Sequence, residues 1–220
     1  MLVVKNLEKS YGKVDVLKKI SFNISRGQKI ALVGYNGSGK STILNTISGN
    51  LQAKTGTVTK SPNIRIGNLI QETNQMSENI SIFNYLQSAG NGIEERDDIY
   101  NLAVKFNFDP ENINNLISKL SPGEKTRLIL ASFAIKNINT LILDEPTNHL
   151  DLDALDALSK VLENFNGSLL LVSHDRDFIQ KANLNKIYTI NEDGNFKEIL
   201  NYLDYIKNSE KRASKLIRTL

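Results

Sequence analysis

KIALVGYNGSGKSTIL, Lys29 to Leu44, changes character twice within a few residues. Lys29 to Val33 is a short apolar run of the kind a buried strand carries. Gly34, Gly37, Ser38 and Gly39 then form a loop of small residues, and from Lys40 the apolar positions Ile43, Leu44 and Ile47 take helical spacing until Gly49 stops them. Small residues let a backbone wrap closely around a polyphosphate with its N–H groups turned inward, and the helix starting near Lys40 adds the positive end of its dipole. Lys40 supplies a point charge for the outer phosphates, and the Ser41 hydroxyl is a candidate Mg2+ ligand. An ordinary glycine turn would not need the strand before it and the helix after it.

Downstream, the pattern predicts an α/β alternation. A helix is expected to Ile135, then a strand Leu141 to Leu143, a helix Ala154 to Leu162, a strand Leu169 to Val172, a helix Arg176 to Ala182 and a strand Ile187 to Ile190. Such alternation argues a mostly parallel sheet covered by helices, joined by right-handed crossovers. Before the glycine loop, Leu2 to Val4 and Ser21 to Ile24 read as antiparallel strands with a turn near Gly12. Residues 77 to 119 are polar and rich in Asn, with helical spacings at Ile82, Phe83 and Leu86 and at Ile99, Leu102, Ala103 and Phe106. We expect one folding unit over residues 1–220. It would hold a small N-terminal antiparallel β layer, an inserted helical subdomain at about 77–135, a hairpin turn at Asp193-Gly194 and a closing helix at about 202–220.

Open α/β sheets place ligands at the C-terminal ends of their strands. LILDEPTNHLD, Leu141 to Asp151, ends a predicted central strand in two carboxylates. Asp144 is suited to holding Mg2+ through water, and Glu145 to polarising a water for attack on a phosphate. VSHDRDF, Val172 to Phe178, brings His174 to a second strand end, where contact with a γ-phosphate is favoured over a structural role. Gln71 closes a predicted third strand, Ile64 to Ile70, within reach of both metal and water. Tyr11, in an exposed turn, offers a ring to stack on a base. His149 is read as structural or interfacial. LSPGEK, Leu120 to Lys125, meets the rules for a helix start: Ser121 as N-cap, Pro122 first, Glu124 closing a capping box. Gly123 goes beyond that reading, because it leaves the helix entrance open for an anion to approach the backbone and the Ser121 hydroxyl.

Composition narrows the field. The chain has 220 residues, of which 40% are hydrophobic, enough for a substantial core. Its apolar stretches fall short of the roughly 18 to 20 residues a bilayer span requires. The start MLVVKNLEK lacks the features of an export signal, and the expected location is the cytoplasm. With no cysteine, disulfides, thiolate metal sites and cysteine catalysis are excluded. A formal net charge of +3 is too small to argue nucleic-acid binding by itself, so local patches must carry that case.

Taken together, GYNGSGKS, LSPGEK, LILDEPTNHLD and VSHDRDF resemble the ATP-binding cassette superfamily over essentially the whole chain. The resemblance implies a P-loop NTPase fold of the cassette type and Mg2+-dependent ATP hydrolysis. It also implies site roles. Tyr11 would stack on adenine, while Gly34, Asn36, Gly37, Ser38, Gly39, Lys40, Ser41 and Thr42 would hold the phosphates. Ser41, Gln71 and Asp144 would serve the metal, with Glu145 as catalytic base, His174 as switch histidine and Asp151 as the D-loop acid. Two such domains would pair head to tail, so that Ser121 and Gly123 of one face the ATP of the other. Pro122 departs from the family's commoner glycine, but it removes only a helix-start N–H that has no intrahelical partner. NHLD after DEPT, SHDRDF, and Glu124 where transporters usually have Gln are similar to the ABC-F branch, whose members act on ribosomes. The implied partners are a second cassette and the ribosome; the competing reading makes the chain a motor subunit bound to a transmembrane permease. ABC-F proteins carry two cassettes, and this chain has one. Its basic segment Lys207 to Arg218 could begin a linker helix and meet RNA phosphates, or could simply pack on the domain.

Overall fold

The computed structural model describes residues 1–90, 95–148, 150, 152–191 and 194–200. His149, Asp151, Asp193 and the basic C-terminal segment of the sequence reading lie outside the described residues. Strands β1 (Leu2–Tyr11) and β2 (Val14–Ile24) form a hairpin, and β3 (Lys29–Gly34) leads through the glycine loop into α1 (Lys40–Ser48). β4 (Thr55–Lys60), β5 (Ile66–Asn68) and α2 (Leu69–Gln75) follow, then the helices α3 (Ile82–Ala89) and α4 (Arg96–Lys105). Two short 3-10 turns precede α5 (Pro122–Ile135); β6 (Thr140–Asp144), α6 (Leu152–Asn164), β7 (Ser168–Val172), α7 (Arg176–Lys181), β8 (Lys186–Ile190) and β9 (Phe196–Ile199) complete the order.

Two sheets result. The central one has the order β5-β6-β7-β3-β8-β9 and is parallel throughout except for β9, which pairs antiparallel with β8. The smaller sheet is antiparallel, in the order β2-β1-β4. Helices cover the parallel sheet because its strands have two apolar faces. In β7, Leu170 and Val172 join a core with α1 and the antiparallel sheet, whereas Leu169 and Leu171 join a core with α5, α6 and α7. β6 divides likewise, with Ile142 on the first side and Leu141 and Leu143 on the second. Runs such as LLLV are therefore buried on both sides, as internal parallel strands are. A third core unites α3, α4 and α5 around Leu86, Ile99, Ala103 and Leu128, so α5 packs on the sheet with one side and on the helical layer with the other.

Three expectations are corrected. The hairpin strands run much farther than Leu2–Val4 and Ser21–Ile24, because bulges with positive φ at Asn6 and Lys19 let the pairing continue to Tyr11 and Val14. β4 has no counterpart in the sequence pattern: TGTVTK offers one apolar residue, Val58, which faces Val4 across the sheet. The strand expected over Ile64 to Ile70 ends at Asn68, since the Asn68 side chain accepts from the Gln71 N–H at 3.2 Å and caps α2. Gln71 therefore lies in the first turn of a helix. At the other end of the sheet, Gly194 with φ 77 turns the chain between β8 and β9, and its N–H bonds to the carbonyl of Asn191.

Leu171 is fully buried in the middle of the parallel sheet. Leu171→Ala should lower stability by about 2–5 kcal/mol through lost burial and a residual cavity, with an unchanged m-value in urea unfolding.

Candidate functional site

In the central sheet β6 and β7 end at one level, and β3 runs two residues farther, to Gly34. Leu32 of β3 stands beside Val172 of β7, and Val172 stands beside Asp144 of β6. The glycine loop, Glu145 and His174 thus lie just beyond a shared edge. A cleft of about 410 Å3 opens there, lined by Tyr11, Val16, Asn36, Gly37, Gly39, Lys40, Ser41, Thr42, Asp144, Glu145 and Val172.

The loop is shaped around its own backbone. A Cβ on Gly34 would stand 2.5 Å from the Ile190 carbonyl oxygen, so no larger residue fits at that turn. Gly39 has φ 100 and its missing side chain leaves room for Val16 and Leu17 of β2. Gly39 is also the N-cap of α1, and no side chain caps that helix among the described residues. The first N–H groups of α1 are consequently available to an anion. Lys40 is only 6% exposed, and its Nζ donates to the carbonyls of Gly34 at 2.9 Å and Tyr35 at 2.8 Å. Burial pushes its pKa below the ordinary lysine value, and the nearby Glu145 and Asp144 carboxylates pull it part of the way back.

The acidic strand end is polarised between two environments. Asp144 Oδ1 is buried without a hydrogen-bond partner among the described residues. Such an oxygen is costly to leave alone, and a cation or a water is the expected partner. Glu145 adopts φ 46, a conformation that non-glycine residues rarely take, while its N–H bonds to the Val172 carbonyl at 2.8 Å. Its carboxylate crosses the end of β7: Oε2 accepts from the His174 N–H at 3.1 Å, and Oε1 lies 3.3 Å from His174 Nε2. With a proton on Nε2 the second contact is also a hydrogen bond. Among the described residues no cluster of three or more His, Asp or Glu is placed to hold a metal unaided. A divalent ion here would need phosphate oxygens as well, as Mg2+ commonly does.

The remaining candidates lie apart from the cleft lining. Gln71 is not part of it, and its amide oxygen accepts weakly from Asn50 Nδ2 at 3.4 Å. Ser121 and Gly123 stand at the start of α5, where the capping box is complete: the Ser121 N–H donates to Glu124 Oε2 at 2.8 Å and Ser121 Oγ accepts from the Glu124 N–H at 3.2 Å. Sequence reading overlooked Val16 and Val172 as apolar walls. Only the positions of β2 and β7 beside the loop reveal them.

Residues 17–148 match the family model described as ABC transporter. The chain belongs to the ATP-binding cassette family. Among similar proteins, the cassette is 36% identical over 181 residues to ATP-binding protein Uup of Caulobacter vibrioides, 80% of this chain and 30% of that protein. It is 35% identical over 190 residues to ribosome protection protein VmlR of Bacillus subtilis, 86% of this chain and 34% of that protein. With ATP-binding cassette sub-family F member 2 of Bos taurus it shares 33% identity over 185 residues, 83% of this chain and 30% of that protein. The chain thus spans about a third of the length of these relatives, and its sequence is similar to one cassette of a sub-family F protein. A solved structure, the ATP binding subunit of an ABC transporter, superimposes with a TM-score of 0.70 at 21% identity over 90% of each chain, which establishes the shared fold. No helix among the described residues of the cassette is long and apolar enough to cross a membrane.

Replacing Lys40 removes the cation at the centre of the cleft. In a calorimetric titration, Lys40→Ala should lose about two orders of magnitude in ATP affinity while retaining the native circular dichroism spectrum.

Proposed function

We propose that the cassette binds and hydrolyses ATP as one half of a closing pair, and that the pair acts on the ribosome. The observation that carries the catalytic part is the cleft itself: a buried Lys40 parked on its own loop's carbonyls, next to an Asp144 oxygen that has no partner among the described residues. The Lys40 ammonium is buried on main-chain carbonyls, the Asp144 Oδ1 is a buried acceptor with no donor among the described residues, and a nucleotide with its cation would satisfy both at once. The phosphates would draw Lys40 off the Gly34 and Tyr35 carbonyls and take the open N–H groups of α1. Tyr11, half exposed at the rim, offers its ring to the base. Ser41 and Asp144 would hold Mg2+, joined by Gln71 once its amide leaves Asn50; the ion would neutralise charge between the outer phosphates.

Glu145 would act as general base, taking a proton from the attacking water. Its contacts with His174 orient the carboxylate, and the imidazole would meet the outermost phosphate as the switch histidine. Ser121 and Gly123 do not line this chain's cleft. That supports a composite site in which they reach the nucleotide of a second cassette. Asp151 would serve such a pair as the D-loop acid.

For the partner, the sub-family F likeness and a relative named as a ribosome protection protein favour the ribosome over a permease. A non-hydrolysing regulatory module would have little use for both Glu145 and His174 at one strand edge.

Glu145→Gln should retain ATP binding and lose about 10²–10⁴-fold in kcat, as expected for removal of a general base. Trapped with ATP in a cell lysate, the same variant should sediment with ribosomes. Recovery in the membrane fraction, free of ribosomes, would reverse the choice of partner.

A further inference from the structure

The charge of this chain is not evenly spread. Residues 1–60 hold ten Lys and Arg against only two acids, Glu8 and Asp15, whereas the whole chain is no more than +3. Both acids are occupied locally: Glu8 accepts from the Thr55 hydroxyl at 2.8 Å, and Asp15 pairs with Lys54 at 3.5 Å. The excess therefore rests on lysines, and the antiparallel sheet decides which way several of them face. One face of β2-β1-β4 packs into the core through Leu2, Val4, Phe22 and Ile24. The opposite face is left to solvent. Across it, Lys5 is level with Thr57, and Val3 stands between Asn23 and Thr59. Lys5, Lys19, Ser21, Asn23, Thr57 and Thr59 are all exposed, as is Lys13 in the hairpin turn. Lys5, Lys13 and Lys19 have no carboxylate within ion-pair distance among the described residues.

We propose that this outer sheet face docks the phosphate backbone of a structured RNA. The strands rise about 3.3 Å per residue, so Lys5 and Lys13 mark a basic track roughly 25 Å long. Neutral positions between the lysines carry hydroxyl and amide donors, which suit phosphate and sugar oxygens. An anionic membrane fits less well, since the face lacks the broad apolar stripe that enters an acyl layer. The rest of the molecule aids orientation. On the helical layer over residues 95–119 the exposed acids Glu95, Asp97, Asp98, Asp109 and Glu111 outnumber the exposed Arg96, Lys105 and Lys119, so a polyanion gains less there than on the sheet. Such a two-signed surface steers the sheet toward the RNA and turns the helical layer away from it. The choice of RNA as polyanion rests on the ribosome reading above.

The test uses the whole chain with Lys5→Gln, Lys13→Gln and Lys19→Gln combined, none of them in the nucleotide cleft. Fluorescence anisotropy with a labelled double-helical RNA hairpin is measured over a salt series, and ATP affinity serves as the folding control. The expected result is an affinity at least about tenfold lower at low salt, with the slope of log K against log salt smaller by about 2 to 3. Unchanged RNA affinity and slope would overturn the proposal. So would a wild-type chain that binds phosphatidylserine vesicles and not the hairpin. Ribosome sedimentation separates the two ideas. RNA binding lost in the variant while the Glu145→Gln form ignores ribosomes would keep the docking face and discard the ribosome. Ribosome sedimentation by a triple variant whose RNA binding is unaltered would do the reverse.

Discussion

Four neighbouring parallel strands, β6, β7, β3 and β8, carry apolar side chains on both faces and leave polar chemistry only one place to go. The apolar residues inside β3, β6 and β7 are committed to one core or the other, so charged groups of the site appear where the strands run out. Register then does the rest. Because Leu32, Val172 and Asp144 are adjacent across the sheet, three separate chain segments reach solvent side by side. A helix follows each of these ends, and α1 directs its N-terminus, without a side-chain cap among the described residues, at the same point. Lys40, Asp144, Glu145 and His174 come from three distant stretches of the chain, and this one edge brings them together.

Electrostatics explains why the edge is poised. A lysine this buried would normally be paired with a carboxylate, yet Lys40 settles on two main-chain carbonyls while Asp144 Oδ1 nearby has no partner among the described residues. Carbonyl dipoles hold a cation more weakly than an anion does, so the arrangement is stable enough to persist and easily displaced by phosphate. Glu145 contributes in a different way. Its positive φ costs about 1–2 kcal/mol, and two contacts to His174 together with its main-chain bond to Val172 hold it there. Backbone strain at this one residue sets where the carboxylate lies.

Much of this was legible because the deciding signals are local. GYNGSGKS forces a loop whatever surrounds it, LILDEP and LLLVSH announce buried strands by unbroken apolar runs, and SPGE encodes its own cap. β4 was illegible for the opposite reason: TGTVTK gains its strand identity from pairing with β1, a partner about fifty residues away, with Val58 as its one apolar residue. The misplaced strand end before Gln71 has a similar origin. GNLIQ continues an apolar pattern, but the Asn68 side chain captures the Gln71 N–H and starts a helix. The walls formed by Val16 and Val172 could not be read at all, since an aliphatic residue beside a glycine loop has no signature until the sheets are assembled.

The starts of α1 and α5 differ in a way that bears on how such a cassette can work. α1 has no side-chain cap among the described residues, which leaves its first N–H groups open to an anion. α5 is sealed by Ser121 and Glu124, each satisfying the other's backbone, and the Glu124 carboxylate adds a negative charge beside the same entrance. A phosphate approaching α5 alone would meet that carboxylate. One held already by α1 and Lys40 of another cassette would arrive with its charge largely neutralised, and the Ser121 hydroxyl could then donate to it without breaking the capping box. In a paired site the asymmetry would divide the work between the two helix starts, with α1 open to an anion and α5 joining one already held by the other cassette.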